Sequence, residues 1–285
     1  MAMTIKVDHA SVCGSDLERL QDSFASIGLK PDYGGPHGNG VTQMSLIGFS
    51  DGSYLELIAP RKPGMVKGSS WEKLIAADAG PCAWAVGMPK LEAEVDRLKK
   101  ASIPADGPTA GSRKRPDGVE LQWVTAQVGP GTPGATLPFM IEDRTARELR
   151  VQTSASVKAS PLTGIRVVVL AVKDMSNAIA LFRKAYGWPA PQIEPHPDFG
   201  AELAYFSGTP VMLASPRPGR RTWLTDRLRN DGESPVTFLI GTKDFAAAEK
   251  HYQLSGKRNW FGQKVAWFDM TKLHGIRLGV IDQQR

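Results

Sequence analysis

A chain of 285 residues with 41% hydrophobic and 22% charged side chains can bury a sizeable core, as one large domain or two medium ones. Its formal charge of +6 comes from dispersed basic residues with local clusters at Arg113-Lys114-Arg115 and Arg217 to Arg221. No Lys/Arg stripe with interleaved aromatics is present, so no nucleic-acid partner is expected. No apolar run approaches the roughly 18 residues of a membrane span, and Met1 to Lys6 has no leader pattern; the expectation is a cytoplasmic protein without a membrane partner.

The first strand pattern, Ile5 to Val12, carries His9. Asp16 then caps a helix whose Leu17, Leu20, Phe24 and Ile27 share one face, and Gly28 ends it. His37 follows in the glycine-rich run Gly34 to Gly40. Strands Gln43 to Phe49 and Ser53 to Ile58, joined by Ser50-Asp51-Gly52, close this unit, and Glu56 lies in the last of them. His9 is either a core histidine bonded to a neighbour or a metal ligand. Glu56 is either an edge carboxylate facing water or an inward-facing ligand; parity alone leaves both open. A shared metal ion would account for two costly residues on apolar strands.

The same unit recurs. Helix starts at 16, 90, 174 and 244 predict four βαβββ units of about 70 residues. Pro89 suits the first turn of the second helix, Asp174 and Asp244 cap the third and fourth, and Gly187 and Gly256 end them. The units pair: Ala59-Pro60-Arg61-Lys62-Pro63-Gly64 before Trp71 matches Ser215-Pro216-Arg217-Pro218-Gly219 before Trp223. Gln152 to Ser160 resembles a linker, giving domains at 1–148 and 162–285. Cys13 and Cys82 read as buried reduced thiols.

Four βαβββ units in two paired halves resemble the vicinal oxygen chelate superfamily. More specifically, Val7-Asp8-His9, Gly34 to Gly40, Asp51 to Pro60, Trp84-Ala85-Val86, Gly111 to Trp123 and Leu137 to Glu142 resemble its glyoxalase-like (glyoxalase-3-like) family over roughly residues 5–145. The resemblance implies an α+β fold of two half-open barrels and a divalent metal (zinc, nickel, manganese or iron) in the N-terminal one. His9, Glu56 and Glu142 are its expected ligands, Glu56 and Glu142 its expected proton-moving carboxylates, and His37 lies in a loop that closes over the cup. Arg113 and Arg115 either flank a solvated hairpin or hold an anionic group of a small oxygen-rich substrate, and Trp84 and Trp123 either line an apolar wall of the cup or belong to the core. Ala83 and Trp84 stand where the second unit would offer a first-strand ligand, which departs from the four-ligand pattern. Val167, Met212 and Gly279 occupy the corresponding ligand places of the C-terminal half, so that half reads as metal-free: a prop, a wall or a homodimer contact. The expected function is metal-dependent lyase or isomerase chemistry. The alternatives are a metal-free binding protein of the bleomycin-resistance type and a ring-cleaving dioxygenase.

Overall fold

A computed structural model describes residues 2–217 and 219–283; Met1, Pro218, Gln284 and Arg285 lie outside them. The first unit is β1 (Val7–Cys13), α1 (Leu17–Ser26), β2 (Asp32–Pro36), β3 (Thr42–Gly48) and β4 (Tyr54–Pro60). Helix α2 (Glu72–Ala76) leads to the second: β5 (Gly80–Gly87), α3 (Leu91–Lys100), β6 (Ala105–Lys114), β7 (Glu120–Val128) and β8 (Phe139–Asp143). Short helices α4 (Arg147–Arg150) and α5 (Ala155–Lys158) connect to the third: β9 (Leu162–Ala171), α6 (Met175–Tyr186), β10 (Gln192–His196), β11 (Ala201–Tyr205) and β12 (Val211–Pro216). Helix α7 (Trp223–Asp231) precedes the fourth: β13 (Ser234–Thr242), α8 (Phe245–Tyr252), β14 (Ser255–Trp260), β15 (Gln263–Trp267) and β16 (Leu278–Asp282).

The four units make two curled eight-stranded half-barrels, with strand orders β2-β3-β4-β1-β5-β8-β7-β6 and β10-β11-β12-β9-β13-β16-β15-β14. Each barrel therefore pairs the first strands of its two units, β1 with β5 and β9 with β13. The outer strands of the first barrel also approach each other. Arg113 of β6 donates from Nη1 to the Gly34 carbonyl of β2 at 2.5 Å, and a Cβ added at Gly38 would lie 2.9 Å from the Ser112 carbonyl oxygen.

Local chemistry explains several helix ends. Asp16, Asp174 and Asp244 each accept the backbone N–H three residues on. Two expectations need correction. Pro89 lies ahead of α3, which starts at Leu91 and takes its cap from Glu142 across the sheet. Gln253, in the left-handed conformation at φ 52°, ends α8, while Gly256 lies within β14.

Alternation sorts the strands. Ala10 and Val12 of β1 and Leu55, Leu57 and Ala59 of β4 enter one apolar cluster that also holds Phe24, Val95, Phe182, Val168 and Phe238. That cluster unites helices and sheet faces of both barrels, and β5 packs against β13. His9, Ser11 and Cys13, with Tyr54, Glu56 and Ile58 beside them in register, are left on the barrel interior. The connection at 144–161 is no loose tether: Arg150 and Val157 are buried. Thr163 accepts the Asp51 N–H at 3.1 Å and Ser53 accepts the Ile165 N–H at 2.9 Å, which ties the two barrels directly.

Candidate active site

The interior of the first barrel is layered along its strands. At one end α4 reaches in. Arg150 is 5% exposed and donates to Asp8, Asp143 and the Tyr54 hydroxyl; Arg147 also donates to Asp8 and to the Gly52 carbonyl. At the other end α2 covers the opening with Leu74 and Ile75, packed on Cys13, Ile58, Cys82 and Ala83. Between the two plugs lie His9, Glu56 and His37.

These three are wired together. Asp8 Oδ1 lies 2.6 Å from His9 Nδ1. Burial works to raise the Asp8 pKa, but the His9 hydrogen bond and the Arg150 charge outweigh it and hold the carboxyl well below the usual range. An ionised carboxylate only accepts, so His9 Nδ1 carries the proton and its Nε2 is turned to Glu56, 3.9 Å from Oε2. Tyr54 stacks on the imidazole at 4.8 Å and Phe139 meets it edge-on at 5.2 Å, which fixes the ring plane.

Glu56 is 7% exposed. Its Oε2 accepts the Ser11 hydroxyl at 3.2 Å, and its Oε1 lies 3.3 Å from His37 Nε2. Burial opposes its charge, yet the His37 hydrogen bond and the charges of His37 and His9 prevail and bring its pKa down to about 2. His37 Nδ1 sits 2.8 Å from the Thr42 hydroxyl, a group that can either donate or accept. His37 can therefore present Nε2 to Glu56 as a donor or turn its lone pair into the site.

Glu142 is not part of this cluster. Phe139 and Asp143 face the interior, so strand parity turns Glu142 outward, where Oε2 accepts the Leu91 N–H at 3.1 Å and Oε1 meets Arg144. Trp84 likewise faces away from the cup, fully buried in the shared cluster with its indole N–H on the Thr136 carbonyl. Trp123 pairs in register with Asp143 and lies over Gly111, where a Cβ would come within 2.5 Å of its Nε1. Arg113 is buried and bonds the Gly34 and Arg150 carbonyls; Arg115 bonds the Leu149 carbonyl and Asp117. Both guanidinium groups thus clamp the α4 plug, and Arg113 places its charge near Glu56. Asp8, Arg147, Arg150 and Thr42 escaped the sequence reading. The Asp8-His9 dipeptide and the arginines spaced i, i+3 in α4 were the available signals.

Among the described residues no group of three or more His, Cys, Asp or Glu side chains stands in a metal-holding arrangement, and Glu56 is shared between His37 and Ser11. The donor chemistry itself fits a divalent cation. Two imidazole Nε2 atoms face one buried carboxylate, and each Nδ1 is held by an oxygen, the usual second layer of a histidine metal ligand.

The sequence profile of the glyoxalase-like domain matches residues 7–169. No curated protein matches the chain. A mutant of 4-hydroxymandelate synthase from Streptomyces coelicolor is similar over 99% of this chain and 93% of its own, with a TM-score of 0.64 and 13% identity. A hypothetical protein from Staphylococcus aureus is similar over 98% of this chain and 100% of its own, with a TM-score of 0.62 and 13% identity. Both likenesses concern the fold alone.

Proposed function

The chain belongs to the glyoxalase-like domain family, and from that premise we propose that its first barrel is an enzyme site moving a proton on a small, oxygen-rich anionic substrate, in lyase or isomerase chemistry. The observation that carries this reading is the convergence of His9 Nε2 and His37 Nε2 on the buried carboxylate of Glu56. A divalent metal held by His9, His37 and Glu56 would polarise a substrate oxygen and stabilise developing negative charge there. Glu56 remains ionised at neutral pH and is the proton acceptor; Ser11 holds its Oε2, and in the metal-free site His37 holds its Oε1. Asp8 keeps His9 in one tautomer. Arg113 supplies a positive charge within the barrel that favours an anion. The plugs at α2 and α4 keep bulk water from both ends.

A second reading, a metal-free binding protein, is favoured by β5, whose positions facing Ser11 and His9 are Ala83 and Ala85 rather than ligands. Proton exchange separates the two. Small 2-hydroxy and 2-oxo acids are incubated in D2O with the metal-loaded protein, and loss of the α-proton signal is followed by NMR. Catalysed exchange that disappears in Glu56→Gln supports the enzyme. Saturable binding without exchange would favour the binding protein.

A further inference from the structure

Among the described residues the second barrel holds no comparable polar cluster in its interior. Its interior is filled by apolar side chains, among them Val169, Leu203, Met212, Leu239 and Val265, and α7 inserts Leu224 and Leu228. A cavity of about 600 Å³ nevertheless opens at its rim, walled by Phe199, Trp260 and Trp267 and bordered by Arg277. Trp267 lies parallel to Phe199, 5.7 Å apart at 12°, and Trp260 meets it edge-on at 5.5 Å, so flat aromatic surface is already assembled.

Arg277 is the anomaly. Its guanidinium lies 4.0 Å over the Trp223 ring, and its one further polar contact is Nη1 to the Met270 sulfur at 3.2 Å, a weak acceptor. No carboxylate pairs with it among the described residues. The nearby acids are engaged elsewhere: Asp198 with Arg258 at 2.7 Å, and Asp269 with the Thr271 N–H at 2.8 Å at the solvent edge. Burial alone acts on Arg277, pushing its pKa down. By contrast Arg97, Arg113, Arg150 and Arg227 all bond a carboxylate or a carbonyl. A half-buried guanidinium whose one side-chain acceptor is a thioether is costly to keep and is available to an incoming anion.

We infer that this rim cavity is a binding site for a planar aromatic carboxylate, anchored on Arg277 and stacked against Trp267. The guanidinium, held over Trp223 with one Nη on the Met270 thioether, has further N–H groups to offer a carboxylate. The half-buried Trp267, which lines the cavity, takes the ring. The filled barrel interior keeps the ligand at the mouth, so this site is independent of the one around Glu56.

Isothermal titration of the full chain with 2-naphthoate tests this, with uncharged 2-naphthamide as the paired probe. The expected result is one saturable site, at least tenfold weaker for the amide. Arg277→Met should weaken naphthoate at least tenfold, Trp267→Ala should weaken both probes, and Glu56→Gln should change neither. Absent naphthoate binding at millimolar concentration, equal binding of the two probes, or loss in Glu56→Gln would each overturn the assignment. Should Arg277→Met fail to fold, as read by its melting curve, the comparison of the two probes on the unaltered protein decides alone.

Discussion

Asp8 is the residue on which one end of the first barrel depends. It holds His9, and it neutralises Arg150 and Arg147 inside the protein. Removing one partner of a buried ion pair leaves an uncompensated charge, so Asp8→Ala should cost about 3–5 kcal/mol in urea unfolding. The milder Asp8→Asn should retain the fold better and reduce metal affinity by roughly 10- to 100-fold, as second-layer substitutions do. Glu56 makes a pH prediction. Its folded pKa, about 2, lies below the ordinary 4.5, so the stability it contributes is complete above about pH 4.5 and is lost as pH falls towards 2. The shift corresponds to on the order of 3 kcal/mol. Denaturant midpoints of the metal-free protein between pH 6 and 2.5 should fall more steeply for wild type than for Glu56→Gln; parallel curves would contradict this assignment.

Among the elements, α4 and the segment after it close the end of the barrel nearest Asp8. Gly48 makes that closure possible: a Cβ there would lie 2.0 Å from the Gln152 carbonyl oxygen, while Ser154 bonds both the N–H and the carbonyl of Gly48. Gly48→Ala should therefore push residues 150–154 off the barrel. The predicted sign is faster proteolysis within 144–161 at a melting temperature several degrees lower. Unchanged cleavage would show that the plug is held by Arg150 alone. Helix α2 is the counterpart at the other end, held by Leu74 and Ile75 against Cys13 and Cys82. Burial pushes the Cys82 thiol pKa up, so this pair belongs with the apolar packing.

At the scale of the whole molecule, both barrels share one apolar cluster. A single calorimetric unfolding transition is expected; two separated transitions would mean that the halves are energetically independent. The same four-unit plan was legible in the sequence, because amphipathic helices recur in every unit and capping aspartates in three of the four. His9 and Glu56 were legible as a pair, since both are costly residues on apolar strands. Glu142 was not, because Phe139-Met140-Ile141-Glu142-Asp143 is apolar on both faces at its start, and parity shows only once Phe139 is seen against His9. Arg147 and Arg150 were hidden for another reason: their partners Asp8 and Asp143 lie on separate strands, and only the curl of the sheet brings them to α4. Arg113 illustrates the same limit, its acceptors being carbonyls of β2 and α4 that no side-chain motif advertises.

The central claim, that Glu56 and the two histidines facing it form a metal-assisted site, is tested most directly by metal titration. The protein, stripped of metal, is titrated calorimetrically with zinc, nickel, manganese and ferrous iron beside folded His9→Ala, His37→Ala and Glu56→Gln variants. One equivalent bound by the wild type and weakened at least tenfold in every variant is the predicted result. No binding, or binding indifferent to all three substitutions, would contradict it.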